Sequence, residues 1–381
     1  MSVAVLFPRF DHPAIEERYA SWQSDMLLRR QATEFHYYDR DEPARDVMED
    51  VHAGHVLVIT DPLLVPSPDL VVRLTAALGD ADAAVPMTNE AAHPAQRVTP
   101  ATPYATLQEL YGSMAAHART NSAVEQVEWD GSDPGAYLSR AALLAAEKQH
   151  LRNALAGRRV AVSKGDFVHR WSSMRGQVRQ DLLDRVSTDA KSILEFGCGE
   201  GELGAALKAR QRCRMVGVEL DSAAAAVARK RIDDVYCGDV REIVALIHEQ
   251  FDWIIGGDIV EHLDEPWSFL ADLRRISTPG GHLLLSLPNI ANASVVADLL
   301  KGRFDYVYMG LLCVGHLRFF TRSSIEDMFS IAGWASTEIT PQAALTTPAS
   351  TRLLETLAAS GVQFSRDDLT TPGYYVIARN R

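Results

Sequence analysis

The run Ser192 to Gly204, Ser-Ile-Leu-Glu-Phe-Gly-Cys-Gly-Glu-Gly-Glu-Leu-Gly, constrains the fold more than any other stretch of the chain. Ile193 to Phe196 reads as a buried strand, and Leu203 to Ala209 as a helix. Between them, Gly197, Gly199 and Gly201 stand at alternate positions. Three such glycines at a strand-to-helix turn leave no Cβ in the way, so a ligand can lie against bare backbone. The helix N-terminus then offers unpaired N–H groups to that ligand. Glu195 adds a negative charge at the strand end. A phosphate is repelled by that carboxylate, whereas an ammonium group is attracted.

Gly199, Gly201 and Gly204 also fit G-x-G-x-x-G, the dinucleotide pattern. Gly197 is extra to it. Glu195-x-Gly197-x-Gly199-x-Gly201 resembles the first motif of the class I S-adenosylmethionine-dependent methyltransferases, E/D-x-G-x-G-x-G. The resemblance implies S-adenosylmethionine as cofactor and S-adenosylhomocysteine as product, with Glu195, Gly197, Cys198, Gly199 and Gly201 at the cofactor.

Later segments fit the same plan. Met215 to Leu220 reads as a second strand ending in Glu219, an acid placed to accept hydrogen bonds from both ribose hydroxyls, with Leu220 beside it. Dehydrogenases use the same device, so Glu219 points to a nucleoside and not to a reaction. Val235 to Asp239 ends a third strand; the resemblance puts Asp239 and Val240 on the adenine, and a plain turn aspartate is the other reading. Phe251 to Gly257 is a fourth strand leading into Asp258-Ile-Val-Glu-His-Leu. This resembles the family's D-x-x-E-H-L, which implies Asp258 beside the sulfonium and Glu261 and His262 on the acceptor side. A related quinone methyltransferase group holds a divalent cation at this place; here a metal is the less favoured reading and no metal ligand is assigned. Trp267 to Ile276 reads as a helix, and Thr278-Pro-Gly-Gly281 turns into a Leu-rich fifth strand, a pattern dehydrogenases do not share.

The stretch from Ser286 to Thr321 resembles a long insert of bacterial sugar- and polysaccharide-pathway methyltransferases, G-L-L-D-x-x-H-L-R-F-F-T. Gly310 to Leu312 and His316 to Thr321 keep the pattern, and Cys313 replaces its aspartate. His316 suits the task of accepting a hydroxyl proton; a histidine bonded to loop backbone is the alternative. Ala335 to Thr340 and Tyr374 to Ala378 read as the last two strands, the final one antiparallel, around a polar insert with one helix.

The chain has 381 residues, which favours two domains. Within residues 1 to 150, "VLVITDPLLVPSPDLVVRLTAAL" and "GSDPGAYLSRAALL" resemble the later half of a family 2 glycosyltransferase of the GT-A fold. That family's metal-holding Asp-x-Asp reads Asp61-Pro62-Leu63 here, so the resemblance implies a truncated domain without transferase activity; a small α/β domain that merely docks something, an acceptor or a partner, is the favoured reading. Residues 142–165 read as helical, and Phe167 to Val186 as a helix leading into the second domain. Arg170 or Arg175 on it could meet the methionine carboxylate, or simply be solvated.

A net charge of −12 speaks against duplex nucleic acid and anionic membrane surfaces as partners. No run approaches a membrane span, and the start shows no basic-then-apolar leader. Four cysteines without a C-x-x-C pair suit a reduced, cytoplasmic protein. The expected architecture is therefore a doubly wound α/β Rossmann-like sheet of seven strands, residues 158–381, preceded by a smaller α/β domain, residues 1–157. The expected reaction is O-methylation of a sugar or glycan hydroxyl, with His316 and His262 as candidate bases. The acceptor is a glycan or other small molecule; a natural product or quinone-like compound is the second reading, and a non-catalytic cofactor-binding regulator a third. A homo-oligomer is compatible with all three.

Overall fold

The computed structural model describes residues 2–10, 12, 14–99, 104–170 and 176–380. They form two compact units. One is Met1–Ser172 together with Asp305–Val314; the other is Ser173–Phe304 together with Gly315–Arg381.

In the first unit the strands are β1 (Val3–Pro8), β2 (Glu34–Tyr38), β3 (His55–Ile59), β4 (Leu64–Val65), β5 (Ala83–Thr88), β6 (Val124–Glu128), β7 (Ala136–Arg140) and β8 (Arg159–Arg170). They pair in the order β2-β1-β3-β7-β5-β8-β4, with β6 on β8. Each buried strand feeds two cores, because successive side chains leave opposite faces. Leu6, Val56, Val58 and Val160 pack on one face, and Val5, Phe7, Leu57 and Ala161 on the other.

The second unit contains β9 (Ser192–Phe196), β10 (Arg214–Glu219), β11 (Asp234–Cys237), β12 (Phe251–Gly257), β13 (Ser277–Pro288), β14 (Ala335–Pro341) and β15 (Gly373–Arg379). Their order is β11-β10-β9-β12-β13-β15-β14. Strands β9 to β13 run parallel to one another, and β15 lies antiparallel between β13 and β14. The order reverses at β9, which sits between β10 and β12, so the crevice outside its carboxyl end is the topological switch point. Leu194 and Phe196 enter one core and Ile193 the other. Each is fully buried, and such side chains contribute about 1.5–3 kcal/mol apiece. Glu195 shares the face of Ile193.

Two expectations are corrected. The stretches read as helical over 142–165 and as a helix from Phe167 to Val186 hold only short helical turns, Ala141–Ala145, Leu151–Asn153 and Gln180–Leu183, and Arg159–Arg170 is strand β8 instead. β8 pairs with β5 in parallel and β6 antiparallel, long-range ladders that override the local pattern. Because β8 belongs to the first sheet, the division falls after Ser172 and not at residue 157. Among the described residues, no helix is long and apolar enough to cross a membrane.

Candidate functional site

The chain turns sharply at the carboxyl end of β9. Gly197, Gly199 and Gly201 have φ of +69°, +55° and +84°, a left-handed region that side chains rarely adopt. Space divides their roles. A Cβ on Gly197 would meet Ile259 at 2.4 Å, and one on Gly201 would lie 3.3 Å from Ala228. A Cβ on Gly199 would meet only the Glu202 carboxylate, at 3.9 Å, so this glycine carries the open wall of the cradle. Gly201 caps the following helix, Glu202–Arg210.

Glu219, at the end of β10, is tied to this loop. Its Oε2 accepts the Gly199 N–H at 2.8 Å and its Oε1 accepts the Asp221 N–H at 2.9 Å. A carboxylate has about four lone-pair sites, so two remain for ligand hydroxyls. Leu220 beside it is 74% exposed, an apolar surface of the kind an adenine ring covers. Asp239 caps the helix Val240–Leu246 by accepting the Arg241 N–H at 2.9 Å, and it is ion-paired with the Arg241 side chain at 2.6 Å. That pairing lowers the Asp239 pKa. Cys198 turns its side chain down into the core beneath Gly217, and burial pushes its thiol pKa up; only its backbone can serve a ligand.

Glu195 is buried, and its Oε2 has no hydrogen-bond partner among the described residues. Burial, with help from Glu202 and Glu219, pushes its pKa up to about 8. Arg179 and the Gly204 N–H only partly offset that burial, so ionising this carboxylate is costly, and a ligand ammonium would relieve the cost. Together, the glycine cradle, the orphaned Glu195 oxygen and exposed Leu220 fit S-adenosylmethionine.

Asp258 follows β12 with φ +54°, the one positive-φ residue other than glycine among those described. It accepts the Ser286 hydroxyl at 2.8 Å and the Arg179 guanidinium at 2.6 Å. Arg179 also makes two hydrogen bonds to Asp181, at 3.0 and 2.9 Å. Burial would lower the Arg179 pKa, but Asp181 and Asp258 outweigh it and raise it. The helix expected over Phe167 to Val186 contains Arg179 as well as the two candidates named on it, Arg170 and Arg175. Arg170 instead ends β8 in the other unit, paired with Asp61 and Glu90, and Arg175 lies outside the described residues. No local sequence pattern marks Arg179; the structure gives it room at Gly257, where a Cβ would stand 2.9 Å from Leu182 and 3.1 Å from the guanidinium.

Glu261, His262 and His316 converge. The turn Val260–His262 follows Asp258, and the backbone N–H groups of Leu317 and Arg318 donate to the Glu261 carbonyl at 2.8 and 3.1 Å. This clamp brings the insert's His316 onto His262, edge to face, with ring centroids 4.9 Å apart. His316 Nε2 lies 3.9 Å from Glu261 Oε1. Glu261 is wholly buried, and neither carboxylate oxygen has a hydrogen-bond partner among the described residues. Burial, then repulsion from Asp258, raises its pKa well above the usual range. One ligand-type atom from each of the three lies within 4.8 Å of the others, so the cluster could also hold a metal ion. Gly310 to Cys313, read as part of the same insert motif, belong to the first unit, where Cys313 Sγ donates to the Tyr308 carbonyl at 3.1 Å.

The family model described as "Methyltransferase domain" matches residues 170–339. A ubiquinone biosynthesis O-methyltransferase of Pseudomonas aeruginosa is 31% identical over 166 residues, covering 37% of this chain and 71% of that protein. A probable S-adenosylmethionine-dependent methyltransferase of Mycolicibacterium smegmatis is 33% identical over 121 residues, 31% of this chain and 46% of that protein. The chain thus spans about half the length of the first curated relatives it matches, 46% and 58%. Among solved structures, a methyltransferase from Archaeoglobus fulgidus covers 53% of this chain and 94% of its own, at 15% identity and a TM-score of 0.40. On the Pseudomonas aeruginosa relative, of which the chain covers more than two thirds, the chain belongs to the S-adenosylmethionine-dependent methyltransferases, which release S-adenosylhomocysteine.

Proposed function

We propose that the chain methylates a hydroxyl oxygen of a sugar or glycan, with His316 as the base. The observation that carries this reading is the packing of His316 and His262 around the buried Glu261 carboxyl. When bound, S-adenosylmethionine supplies a methyl group made electrophilic by its sulfonium. In this reading Gly197, Gly199 and Gly201 give backbone contact, Glu195 faces the ammonium, Glu219 takes the ribose, and Leu220, Asp239 and Val240 border the adenine. Asp258, held by Arg179 and Ser286, borders the sulfonium side.

What remains for the protein is to align the acceptor and remove its proton. A histidine titrates near neutrality and suits that task. The imidazolium formed at His316 has Glu261 3.9 Å away, and a cation there makes ionisation of the buried carboxyl less costly. A sugar acceptor, and with it a role in polysaccharide biosynthesis, is supported by the insert's resemblance to polysaccharide-pathway enzymes; a cytoplasmic setting is supported by four cysteines without a C-x-x-C pair.

A quinone-like phenol is the second reading, supported by the Pseudomonas aeruginosa relative's printed name. It goes with a divalent cation on Glu261, His262 and His316, since a metal would satisfy the two orphaned carboxylate oxygens. The deciding experiment follows S-adenosylhomocysteine release with methyl glycosides and with catechols, before and after removal of metal. Turnover on glycosides that survives chelation supports the first reading; turnover on catechols alone, lost with the metal, supports the second. Binding of S-adenosylmethionine with no turnover on either class would favour a regulator. The first unit is read as having no sugar transferase activity, because Asp61 is paired with Arg170 and the next acidic position is Leu63.

A further inference from the structure

A pocket of about 610 Å³ opens at the edge of the first unit's sheet. β3, β5 and β8 end there and β7 begins there. Ligands of open α/β sheets collect at such carboxyl edges. The Arg170 guanidinium bridges Asp61 and Glu90, the latter at 2.9 Å. Asn89 grips the Arg170 backbone from both sides, accepting its N–H at 2.7 Å and donating to its carbonyl at 2.9 Å. Across the pocket, Asp133 accepts the Thr60 hydroxyl and the Gly135 N–H, the latter at 2.9 Å. The polar groups are therefore fixed in place before any ligand arrives.

One of them is left open. Gln96 lines the pocket and is wholly buried. Its Nε2 donates to the Pro134 carbonyl at 2.9 Å, while its Oε1 has no partner among the described residues. A buried acceptor left unmatched is disfavoured, and a ligand hydroxyl would match it.

We propose that this pocket binds a neutral pyranose ring. Ring hydroxyls both donate and accept, which suits carboxylates, an amide oxygen and a guanidinium set around one space. The volume falls in the range of small-molecule sites. Among the described residues, no aromatic side chain lines it, and the lining offers polar groups to a hydroxylated ring rather than a face for a flat apolar ligand. A diphosphate is disfavoured, because three carboxylates face two guanidiniums that are already engaged: Arg170 with Asp61 and Glu90, and Arg97 with the Ala91 carbonyl at 2.9 Å. The proposal is independent of the methyl-transfer reading, since sugar binding is measured without methyl donor.

The test is saturation-transfer NMR on the full chain with the methyl pyranosides of glucose, galactose, mannose, rhamnose and N-acetylglucosamine, and with UDP-glucose plus Mn²⁺. Transfer to the ring protons of at least one pyranoside is expected, with affinity falling about tenfold in Gln96→Leu and in Glu90→Gln as a hydrogen bond is removed. Glu90→Gln keeps the side-chain shape, so it serves where Gln96→Leu lowers the melting temperature. The proposal is overturned by absence of transfer from every pyranoside, by parent-like affinity in folded Glu90→Gln, or by UDP-glucose with Mn²⁺ binding more tightly than every free pyranoside. Sugar binding without methyl transfer would leave this inference standing and remove the other.

Discussion

Arg179 reaches Asp258 across 79 positions of sequence and holds its carboxylate at 2.6 Å, on a residue whose backbone is itself in the left-handed region. This pair fixes the floor of the crevice between β12 and the approach to β9. Arg179→Ala leaves Asp258 bonded to Ser286 alone. Loss of a charge-assisted hydrogen bond of this kind predicts S-adenosylmethionine affinity roughly 10- to 100-fold weaker. Titration calorimetry on the parent and the variant checks it, and equal affinities would remove Arg179 from the site.

Gly199 is the open wall of the cradle, so Gly199→Val acts twice. The branched side chain disfavours φ +55°, and it fills the space left for the ligand. S-adenosylmethionine binding should be lost, at a backbone cost of about 1–3 kcal/mol in stability. Parent-like binding in this variant would mean that the cofactor lies elsewhere; NAD should bind neither protein.

Glu195 sets a pH dependence whose sign can be worked out. Its folded-state pKa is raised, to about 8, so the native protein binds its proton more tightly than the unfolded chain does. Stability must therefore fall as pH rises from the ordinary glutamate range near 4.3 towards 8. A ligand ammonium favours the ionised form, so the rise in melting temperature given by S-adenosylmethionine should grow over the same interval. Melting curves at successive pH values test this against Glu195→Gln, which should flatten both trends. A Glu195→Gln profile that overlays the parent's would refute it.

For the base, His316→Ala should lower turnover by about 10²- to 10⁴-fold, with cofactor affinity near the parent's. His262→Ala should lower turnover and also loosen the cofactor, since it follows Asp258 by four residues in the same turn segment. Glu261→Gln should shift the pH dependence of turnover, a change that a purely structural role would not produce. Full activity in a well-folded His316→Ala would move the assignment to His262 or to water.

The parts legible in the sequence are those written in local code. The glycine loop, the strands β9, β10, β12 and β13 and the antiparallel final strand all announce themselves through runs of apolar residues and turn signals. What escaped was decided at long range. β8 reads locally as part of a helical stretch, and only its ladders to β5 and β6 make it a strand. His316 could be named as a candidate, but its seat beside His262 depends on two backbone hydrogen bonds to the Glu261 carbonyl. Arg179 looked like any solvated arginine, because the acids that claim it, Asp181 and Asp258, are one near and one far in sequence.

The ten residues Asp305–Val314 leave the second unit, join the first, and return. There Tyr308 donates to Glu17 at 2.7 Å and Gln108 to Asp305 at 2.8 Å. A protease cut after residue 172 would consequently not release two complete bodies, since the first would still be tethered by a strap that it needs for those bonds. Neither half can be exchanged as a cassette with the corresponding half of a relative unless that strap travels with it, so in recombination the two behave as one heritable piece.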